Sequence, residues 1–343
     1  MKRIISLLLV LALCLALCAC GAQDNGEPKV AGEGQVLDGA GRVLDIPDDP
    51  QSATIASVYA VSVPFIKALG LTDRVLAVNT KSKFWTEADE NLAKAGTVGR
   101  GVVDLEKLAG YSPTVLIHRS NDPETVEAVE KLGIDVLCIT VENMDDFKTT
   151  LLMLGEYFGV SERAQRVVDW LDGKFDFIAE RVAQIPESER VTALLMGGEP
   201  GRVAGNDMLQ SWMIEQAGGI CVADRGKDHN WIDVGVETVF EWDPELIFCT
   251  SSTGLEYSAE ELMDDNSWSA VKAVKNGKVV TVPSKLDSWD MPGLSCVLGT
   301  MFMLHEMYPD YFSSEELREQ IDDYYEFMFG TTFDADYLGY TLE

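Results

Sequence analysis

The sequence predicts an α/β protein of two doubly wound lobes joined by a single long helix. Short apolar segments typical of strands alternate with helical patterns over residues 54–139, and the alternation resumes over residues 191–307, as parallel sheets with crossover helices require. Between these stretches, apolar residues recur at three- and four-residue steps from Ala164 to Ile185, which is typical of an amphipathic helix. At 1.5 Å per residue that helix is about 36 Å long, enough to cross between lobes.

A template that occurs twice supports the two-lobe interpretation. In each copy a bulky residue leads, a glutamate follows, and a proline then runs into an apolar strand. A single repeat at this distance indicates two similar lobes, because a solenoid needs many short repeats. Two similar lobes enclose a cleft, so the matched positions are the first candidates for functional residues. The two copies are Arg100-x5-Glu106-x6-Pro113 and Trp231-x5-Glu237-x6-Pro244.

These patterns divide the chain into consecutive segments. The first begins with Met1-Lys2-Arg3 and continues with uncharged, mostly apolar residues; it is shorter than the ~20 residues of a membrane span and is typical of a secretory signal. The polar, Gly-rich stretch that follows indicates a flexible tether. The segments are a signal peptide (1–19), a tether (20–38), an N-terminal lobe (39–160), the interlobe helix (161–185) and a C-terminal lobe (186–343).

The end of the signal segment indicates a lipid anchor. Its sequence is Leu17-Cys18-Ala19-Cys20-Gly21, which resembles the bacterial lipobox, in which the last cysteine is acylated. By that resemblance Cys20 carries lipid and attaches the protein to a membrane through acyl chains. The alternative is an ordinary signal peptide with incidental cysteines.

The charge balance limits the possible partners. With 57 Asp and Glu against 27 Lys and Arg, the net charge is −30. A chain this acidic will not bind nucleic acid through a general basic surface. Any anionic ligand must instead meet a local cationic pocket.

The cysteines after Cys20 give no sign of a metal site. Cys138, Cys221, Cys249 and Cys296 lie far apart, with no CxxC pair and no zinc spacing. Two of them fall in apolar, strand-like segments, which favours buried free thiols, although the sequence leaves a disulfide open.

Catalytic arrangements are missing from the sequence. It contains no GxSxG and no HExxH motif, and its three histidines, His118, His229 and His305, have no metal-ligand spacing. We therefore expect neither an enzyme nor a resident metal or cofactor. A surface enzyme or adhesin on the same scaffold remains the competing class, because a fold does not fix a function.

Several sequence blocks resemble those of the substrate-binding lipoproteins of ABC importers for ferric siderophores, haem and cobalamin. Each block alone is a weak signal, but their order and spacing together are specific. The resemblance covers nearly all of the chain after the signal peptide. It implies two α/β lobes, one rigid interlobe helix, a ligand in a shallow cleft between the lobes, and little lobe movement. The blocks are Val98–Pro113, Gly155–Ala164, Gln216–Gly219, Val234–Glu237, Ala273–Val279 and Ser288–Gly293.

The matched glutamates are candidates for contact with a transporter. The resemblance implies that Glu106 and Glu237, one on each lobe, dock onto arginines of the permease. Two carboxylates on separate rigid lobes can form ion pairs at two fixed points with a cationic partner and so select its orientation. The alternative is that each glutamate only stabilises its own helix, because a negative charge in the first turn offsets the helix dipole by ~0.3–1 kcal/mol.

The leading residues of the two copies are candidates for ligand contact. Each is expected in a loop before a helix, at the mouth of its lobe. Arg100 could donate charge-assisted hydrogen bonds to carboxylate, hydroxamate or catecholate oxygens, and Trp231 could stack on a flat ligand. The alternatives are a solvated surface arginine and a tryptophan that covers core.

Other candidates follow strands. Trp289 comes after the last strand, where open α/β sheets bind ligands, although a core tryptophan is an equal alternative. Phe84 and Trp85 are adjacent aromatic residues in a polar stretch, Tyr59 follows the first strand of the lobe, and Arg202 lies in a Gly-rich turn.

Together these observations predict a lipid-anchored, extracytoplasmic solute-binding protein. It would capture a metal chelate, with a ferric siderophore as the best single ligand class, and deliver it to an ABC permease and ATPase. Cobalamin, haem or an oxyanion such as molybdate are the alternative ligands.

Overall fold

The computed structural model describes residues 30–80, 82–223, 231–250, 257–283 and 288–340. The signal peptide, the acylation predicted for Cys20, and His229 lie outside these ranges. The described chain forms two parallel-rich sheets, one in each lobe, with a long helix between them. The predicted α/β class and the two-lobe architecture are therefore confirmed.

The N-terminal lobe contains a five-stranded parallel sheet with strand order β5-β4-β3-β6-β7, preceded by an antiparallel hairpin of β1 and β2. Its interior strand β6, between β3 and β7, is buried on both faces apart from its last residue, as expected for a sheet covered by helices on both sides. The elements are β1 (Gln35–Leu37), β2 (Val43–Asp45), β3 (Ile55–Ser57), α1 (Ser62–Ala68), β4 (Val75–Val78), α2 (Lys83–Ala88), β5 (Gly96–Thr97), α3 (Leu105–Tyr111), β6 (Val115–Arg119), α4 (Pro123–Glu130), β7 (Asp135–Ile139) and α5 (Met144–Tyr157).

The interlobe helix α6 spans Ser161–Val182 and buries the predicted apolar stripe, which includes Ala164, Val168 and Leu171. It ends three residues before the predicted boundary, and Pro186 lies just beyond.

The C-terminal lobe has a sheet of order β11-β9-β8-β12-β13, with the short β10 also paired to β8. Strands β10, β8, β12 and β13 are parallel, whereas β9 and β11 are antiparallel additions at one edge. Its elements are β8 (Thr192–Met196), β9 (Arg202–Ala204), α7 (Leu209–Gln216), β10 (Ile220–Cys221), β11 (Trp231–Asp233), α8 (Val236–Trp242), β12 (Leu246–Cys249), α9 (Ala259–Asp264), α10 (Lys272–Lys275), β13 (Val279–Thr281), α11 (Cys296–Met307), α12 (Ser314–Phe329) and α13 (Ala335–Leu338).

The repeated template has matching backbone geometry in the two lobes. Helices α3 and α8 each have seven residues, and each ends at a non-glycine residue in the left-handed region. These residues are Ser112 (φ 51°, ψ 52°) and Asp243 (φ 48°, ψ 53°), the only non-glycine residues with positive φ in the described chain. Such a residue costs energy that the surrounding structure must offset, so its occurrence at both matched positions shows a shared turn.

The core is continuous across the lobes. One apolar cluster contains Ile117 of β6, Leu195 of β8 and Leu171 of the interlobe helix, and two smaller clusters cover the outer face of each sheet. The four described cysteines are free, and three of them are buried, as predicted. None of the described helices is long and apolar enough to cross a membrane.

Candidate ligand cleft between the lobes

Two surface cavities lie between the lobes, beyond the carboxyl ends of the parallel strands. Open α/β sheets place ligands at this edge, because the loops that follow the strands converge there. Each cavity takes lining residues from both lobes. The predicted cleft is therefore present in the structure.

The first cavity has a volume of about 160 Å³ and combines apolar walls with hydroxyl groups. Trp85 of α2 forms part of its N-terminal wall, and Lys83 supplies a cationic group that lies 3.5 Å from Glu87 and is largely exposed. The hydroxyl of Ser82 accepts a hydrogen bond from the Asn79 side chain, which fixes the loop after β4. The lining residues are Ala60, Val61, Pro64, Ser82, Lys83, Trp85, Ser288, Met291, Pro292, Gly293 and Ser295.

The second cavity is larger, about 360 Å³, and more acidic. Glu142 and Asp145 follow β7 in one lobe, and Asp207 follows β9 in the other. Thioether and indole groups line the same cavity. The lining residues are Glu142, Asn143, Met144, Asp145, Asp207, Met208, Leu209 and Trp212.

Tyr59 lines neither cavity but lies close enough to Glu142 of the second cavity to interact with its charge. Burial raises the pKa of Tyr59 to about 12, and the Glu142 carboxylate acts in the same direction, while the Arg119 guanidinium opposes both. The phenol therefore stays protonated at neutral pH and can donate a hydrogen bond. Tyr59 is half-buried, and ligand contact by this residue stays a prediction.

Trp289 and Phe84 are buried in the core, which favours the core alternative for Trp289, and ligand contact by these two residues stays a prediction. Trp289 is 1% exposed, and its indole N–H donates to the Tyr325 hydroxyl at 3.2 Å. Phe84 is 2% exposed and surrounded by aromatic rings. Both residues follow strands, as ligand-binding residues do, but apolar rings there also fit the core that joins the lobes. Trp85, in contrast, is 6% exposed and reaches the first cavity.

Trp231 was expected in a loop and instead begins strand β11, opposite Ala204 of β9. Its ring covers Gly197 so closely that a Cβ there would lie 2.7 Å from a ring carbon. The loop prediction failed because antiparallel pairing at the sheet edge depends on β9, which the sequence did not indicate. Trp231 lines neither interlobe cavity, so ligand contact by this residue stays a prediction.

The two candidate arginines differ in their surroundings. Arg202 lies in β9 and pairs with Asp233 at 3.3 Å and with Glu199 at 4.0 Å, so carboxylates of its own lobe already balance its charge. Arg100 is exposed in the turn between β5 and α3, between Gly99 and Gly101, which both have positive φ. Neither arginine lines the cavities, and their roles stay predictions.

Ser82, Lys83, Pro292 and the acidic residues of the second cavity are not among the residues predicted from the sequence. A usable signal was present for those other than Asp207, because they follow parallel strands at the ligand-binding edge of the two sheets. Asp207 follows the antiparallel strand β9, which gave no such signal. Among the described residues, no group of three or more His, Cys, Asp or Glu side chains could hold a metal ion.

Glu106 and Glu237 occupy equivalent, exposed positions in the first turns of α3 and α8. Apolar side chains are exposed beside both carboxylates. Leu105 is 38% exposed next to Glu106, and Phe240 is 52% exposed one helical turn after Glu237. Each lobe thus presents a carboxylate together with an apolar group, which suits contact with a protein partner.

The histidines outside the cleft have structural partners. His118 is buried at the end of β6, and its Nε2 lies 3.1 Å from Asp122, the residue that caps α4. His305 is buried in α11, with Nδ1 2.8 Å from the Phe312 carbonyl oxygen. His305 is therefore a core residue.

Comparison with known proteins identifies the family. Residues 55–286 match the model of the periplasmic binding protein family, which covers more than half of the chain. The chain belongs to this family, whose members act outside the cytoplasm as solute-binding components of ABC transporters. The resemblance inferred from the sequence blocks is thereby confirmed.

Individual relatives are distant in sequence but similar in fold. The molybdate-binding protein MolA of Haemophilus influenzae is 22% identical over 269 residues, 72% of this chain and 75% of MolA. A periplasmic solute-binding protein from Veillonella parvula superposes with a TM-score of 0.76 at 20% identity, covering 90% of this chain and 96% of its own. Helicobacter pylori CeuE with bound Ni(II) gives 0.71 at 20% identity, covering 88% and 97%.

Proposed function

We propose that the chain captures a metal chelate, most favourably a ferric siderophore, in the interlobe cleft and delivers it to an ABC permease. The observation that carries the proposal is the first cavity, which both lobes line with apolar walls, serine hydroxyls and Lys83. Apolar walls suit the organic part of a chelate, while a few placed polar groups fix its orientation. The family membership and the binding geometry favour capture over catalysis.

The cavity size separates this proposal from its main alternative. Its volume of about 160 Å³ is smaller than the roughly 300–1,000 Å³ of sites that enclose drug-sized ligands. A siderophore would therefore bury only one face or one arm and protrude into solvent, as a shallow cleft allows. A molybdate ion would fit entirely inside. MolA, which is named for molybdate binding, makes this oxyanion the second candidate.

A thermal-shift screen distinguishes the candidates, because a ligand that binds only the folded state raises the melting temperature. A soluble Cys20→Ser form would be tested with a ferric catecholate, a ferric hydroxamate, haemin, cyanocobalamin and sodium molybdate. We expect a ferric siderophore to stabilise the protein by about 2.7 kcal/mol at a hundredfold excess over Kd. Stabilisation by molybdate alone supports the second candidate, and no shift with any probe contradicts binding of this ligand class.

Variants of the cavity test where the ligand lies. We expect Lys83→Gln and Trp85→Leu each to weaken binding of the ligand found in the screen by about tenfold or more, the scale of a lost charge-assisted contact. Lys94→Gln is a matched control, since Lys94 is exposed in the same lobe and lies outside the cavity. Equal affinities for all three variants would place the ligand elsewhere.

We further propose that Glu106 and Glu237 dock the two lobes onto cationic groups of the permease. Their equivalent positions and exposure support this role. We expect Glu106→Arg/Glu237→Arg to abolish ligand-dependent binding to permease in vesicles without loss of ligand affinity. The control is Glu124→Arg/Glu260→Arg, which reverses two exposed carboxylates that also lie in first helical turns, one on each lobe. Equal losses in both pairs would indicate a helix-dipole effect only.

Membrane attachment through Cys20 is a separate proposal, supported by the lipobox resemblance and the family's location. Cells fed radiolabelled palmitate should label the wild-type chain and not a Cys20→Ser variant, which should also be released from the membrane fraction. Labelling of both forms would contradict acylation at this residue.

A further inference from the structure

The C-terminal helix α12 lies along the interlobe helix α6 and runs in the opposite direction. Near the start of α12, Glu316 pairs with Arg181 at 2.8 Å. Near its end, the Phe327 ring stacks on Trp170 at 4.8 Å with an angle of 7°. Because α6 crosses between the lobes, α12 is a second helix that returns from the C-terminal lobe to the N-terminal lobe.

The end of this helix and the residues after it contact the N-terminal wall of the cleft. The ring of Phe84 lies 5.8 Å from that of Phe329 and 5.8 Å from that of Phe333. Trp85, which lines the first cavity, stacks on Phe329 at 5.2 Å with an angle of 24°. The Lys67 ammonium lies 4.8 Å from the centre of the Phe329 ring.

The same segment also contacts the C-terminal wall. The Tyr325 hydroxyl accepts a hydrogen bond from the Trp289 indole N–H at 3.2 Å, and the Tyr340 ring lies 5.6 Å from the indole. Trp289 lies between Ser288 and Met291, which both line the first cavity. The buried Trp289 side chain therefore fixes the position of Ser288 and Met291, which face the cavity.

Tyr325 joins the two sides, since its ring also lies 6.2 Å from Phe84. We propose that an aromatic clasp sets the width of the ligand cleft by fixing its two walls to each other. The positioning residues of the clasp are Tyr325, Phe329, Phe333, Tyr337 and Tyr340. The consequence for ligand recognition rests on the proposed function, whereas the mechanical role of the clasp does not.

The clasp explains how a small, shaped cavity persists between two lobes. To open, the lobes must bend α6 and also separate Phe84 from the rings around it and Trp289 from Tyr325. Loosening the clasp should therefore free both walls together, while the sheets behind them keep their order. This paired response differs from general destabilisation, which would also affect the buried interior strand β6 of the N-terminal sheet.

Hydrogen exchange of the full-length, ligand-free protein tests the proposal. We expect Tyr325→Leu to raise amide exchange at least tenfold in residues 82–92 and also in 288–296, with no change in 115–119. Leu317→Ala is the matched control, because Leu317 is equally buried in the same helix but lies near its start, away from the rings of the clasp. It should leave exchange in both walls unchanged.

Two further variants refine the test. Tyr325→Phe keeps the ring and loses the hydroxyl, so it should raise exchange in 288–296 alone. Phe333→Leu changes a half-buried ring next to Phe84 and Tyr325 and should free both walls even if Tyr325→Leu does not fold. Unchanged wall exchange in Phe333→Leu, or equal effects of Leu317→Ala and Tyr325→Leu on the two walls, would overturn the clasp. Neither result depends on which ligand the cleft binds.

Discussion

Replacing Trp289 with alanine tests whether this residue supports the core or the ligand. Its side chain is 1% exposed, lies 5.6 Å from the Tyr340 ring and 6.4 Å from the Phe302 ring, and donates a hydrogen bond to Tyr325. Truncation of a buried tryptophan removes these contacts and leaves a cavity, which costs about 3–5 kcal/mol. Trp289→Phe keeps an apolar ring and mainly loses the hydrogen bond, so about 1–2 kcal/mol is expected.

The expected change in melting temperature follows from chain size. Unfolding entropy is ~2.1 cal/mol/K per residue, so roughly 300 folded residues give about 0.6 kcal/mol/K. A loss of about 3–5 kcal/mol then lowers Tm by about 5–8 °C, and Trp289→Phe lowers it by about 2–3 °C. Because the core cluster is continuous across the lobes, we expect one calorimetric transition.

Differential scanning calorimetry measures both shifts, and Trp231→Ala is a useful control. Trp231 is half-buried at the edge of its sheet, so its truncation should cost less than that of Trp289. If Trp289→Ala melted within about 1 °C of the wild type and lost ligand affinity instead, the assignment of this residue to the core would be refuted.

Three other substitutions have defined outcomes. Burial lowers the pKa of His118 despite the hydrogen bond that the ring can donate to the Asp122 carboxylate. The folded state therefore resists protonation and loses stability as pH falls below the unfolded pKa of ~6.5. His118→Gln should flatten the pH dependence of urea unfolding between pH 7 and 5, and an unchanged slope would contradict this. Gly99 has φ +129°, and a Cβ there would lie 2.0 Å from the Val102 carbonyl oxygen. Gly99→Ala should therefore lower the free energy of unfolding by about 1–3 kcal/mol or more in the same assay. Wild-type stability of this variant would show that the turn can relax. Arg163 donates hydrogen bonds to the Ala68 and Phe327 carbonyl oxygens at 2.7 and 3.3 Å. Arg163→Met should lower the free energy of unfolding by about 1.5–3 kcal/mol. A loss below about 0.5 kcal/mol would indicate that water replaces both hydrogen bonds.

The sequence was sufficient for the elements with strong local patterns. The interlobe helix α6 ends within three residues of its predicted boundary, and the strands β6, β7, β8 and β12 lie within the two stretches where alternation was predicted, because apolar periodicity and Gly or Pro boundaries define these elements locally. The repeated template correctly indicated two lobes, since each copy encodes the same helix, left-handed turn and strand.

Features that depend on distant partners could not be predicted. Strands β5, β9, β10 and β11 have only two or three residues each, too few to show a period. Their pairing depends on neighbours far along the chain. The path of α12 is a similar case, because its apolar stripe indicates burial without saying which lobe it packs against. The path of α12 also explains why Phe84 and Trp289 are buried, because the rings of the aromatic clasp pack against both residues.

The buried cysteines have a consequence for the environment in which this family works. Burial raises the pKa of Cys138, Cys249 and Cys296 to about 12, and that of Cys221 in the same direction. Because the thiolate is the reactive form, these sulfur atoms are nearly inert toward oxidants and disulfide exchange at neutral pH. Compartments outside the cytoplasm are often oxidising, and there the folded protein can keep four unpaired thiols without cross-linking to itself or to its neighbours.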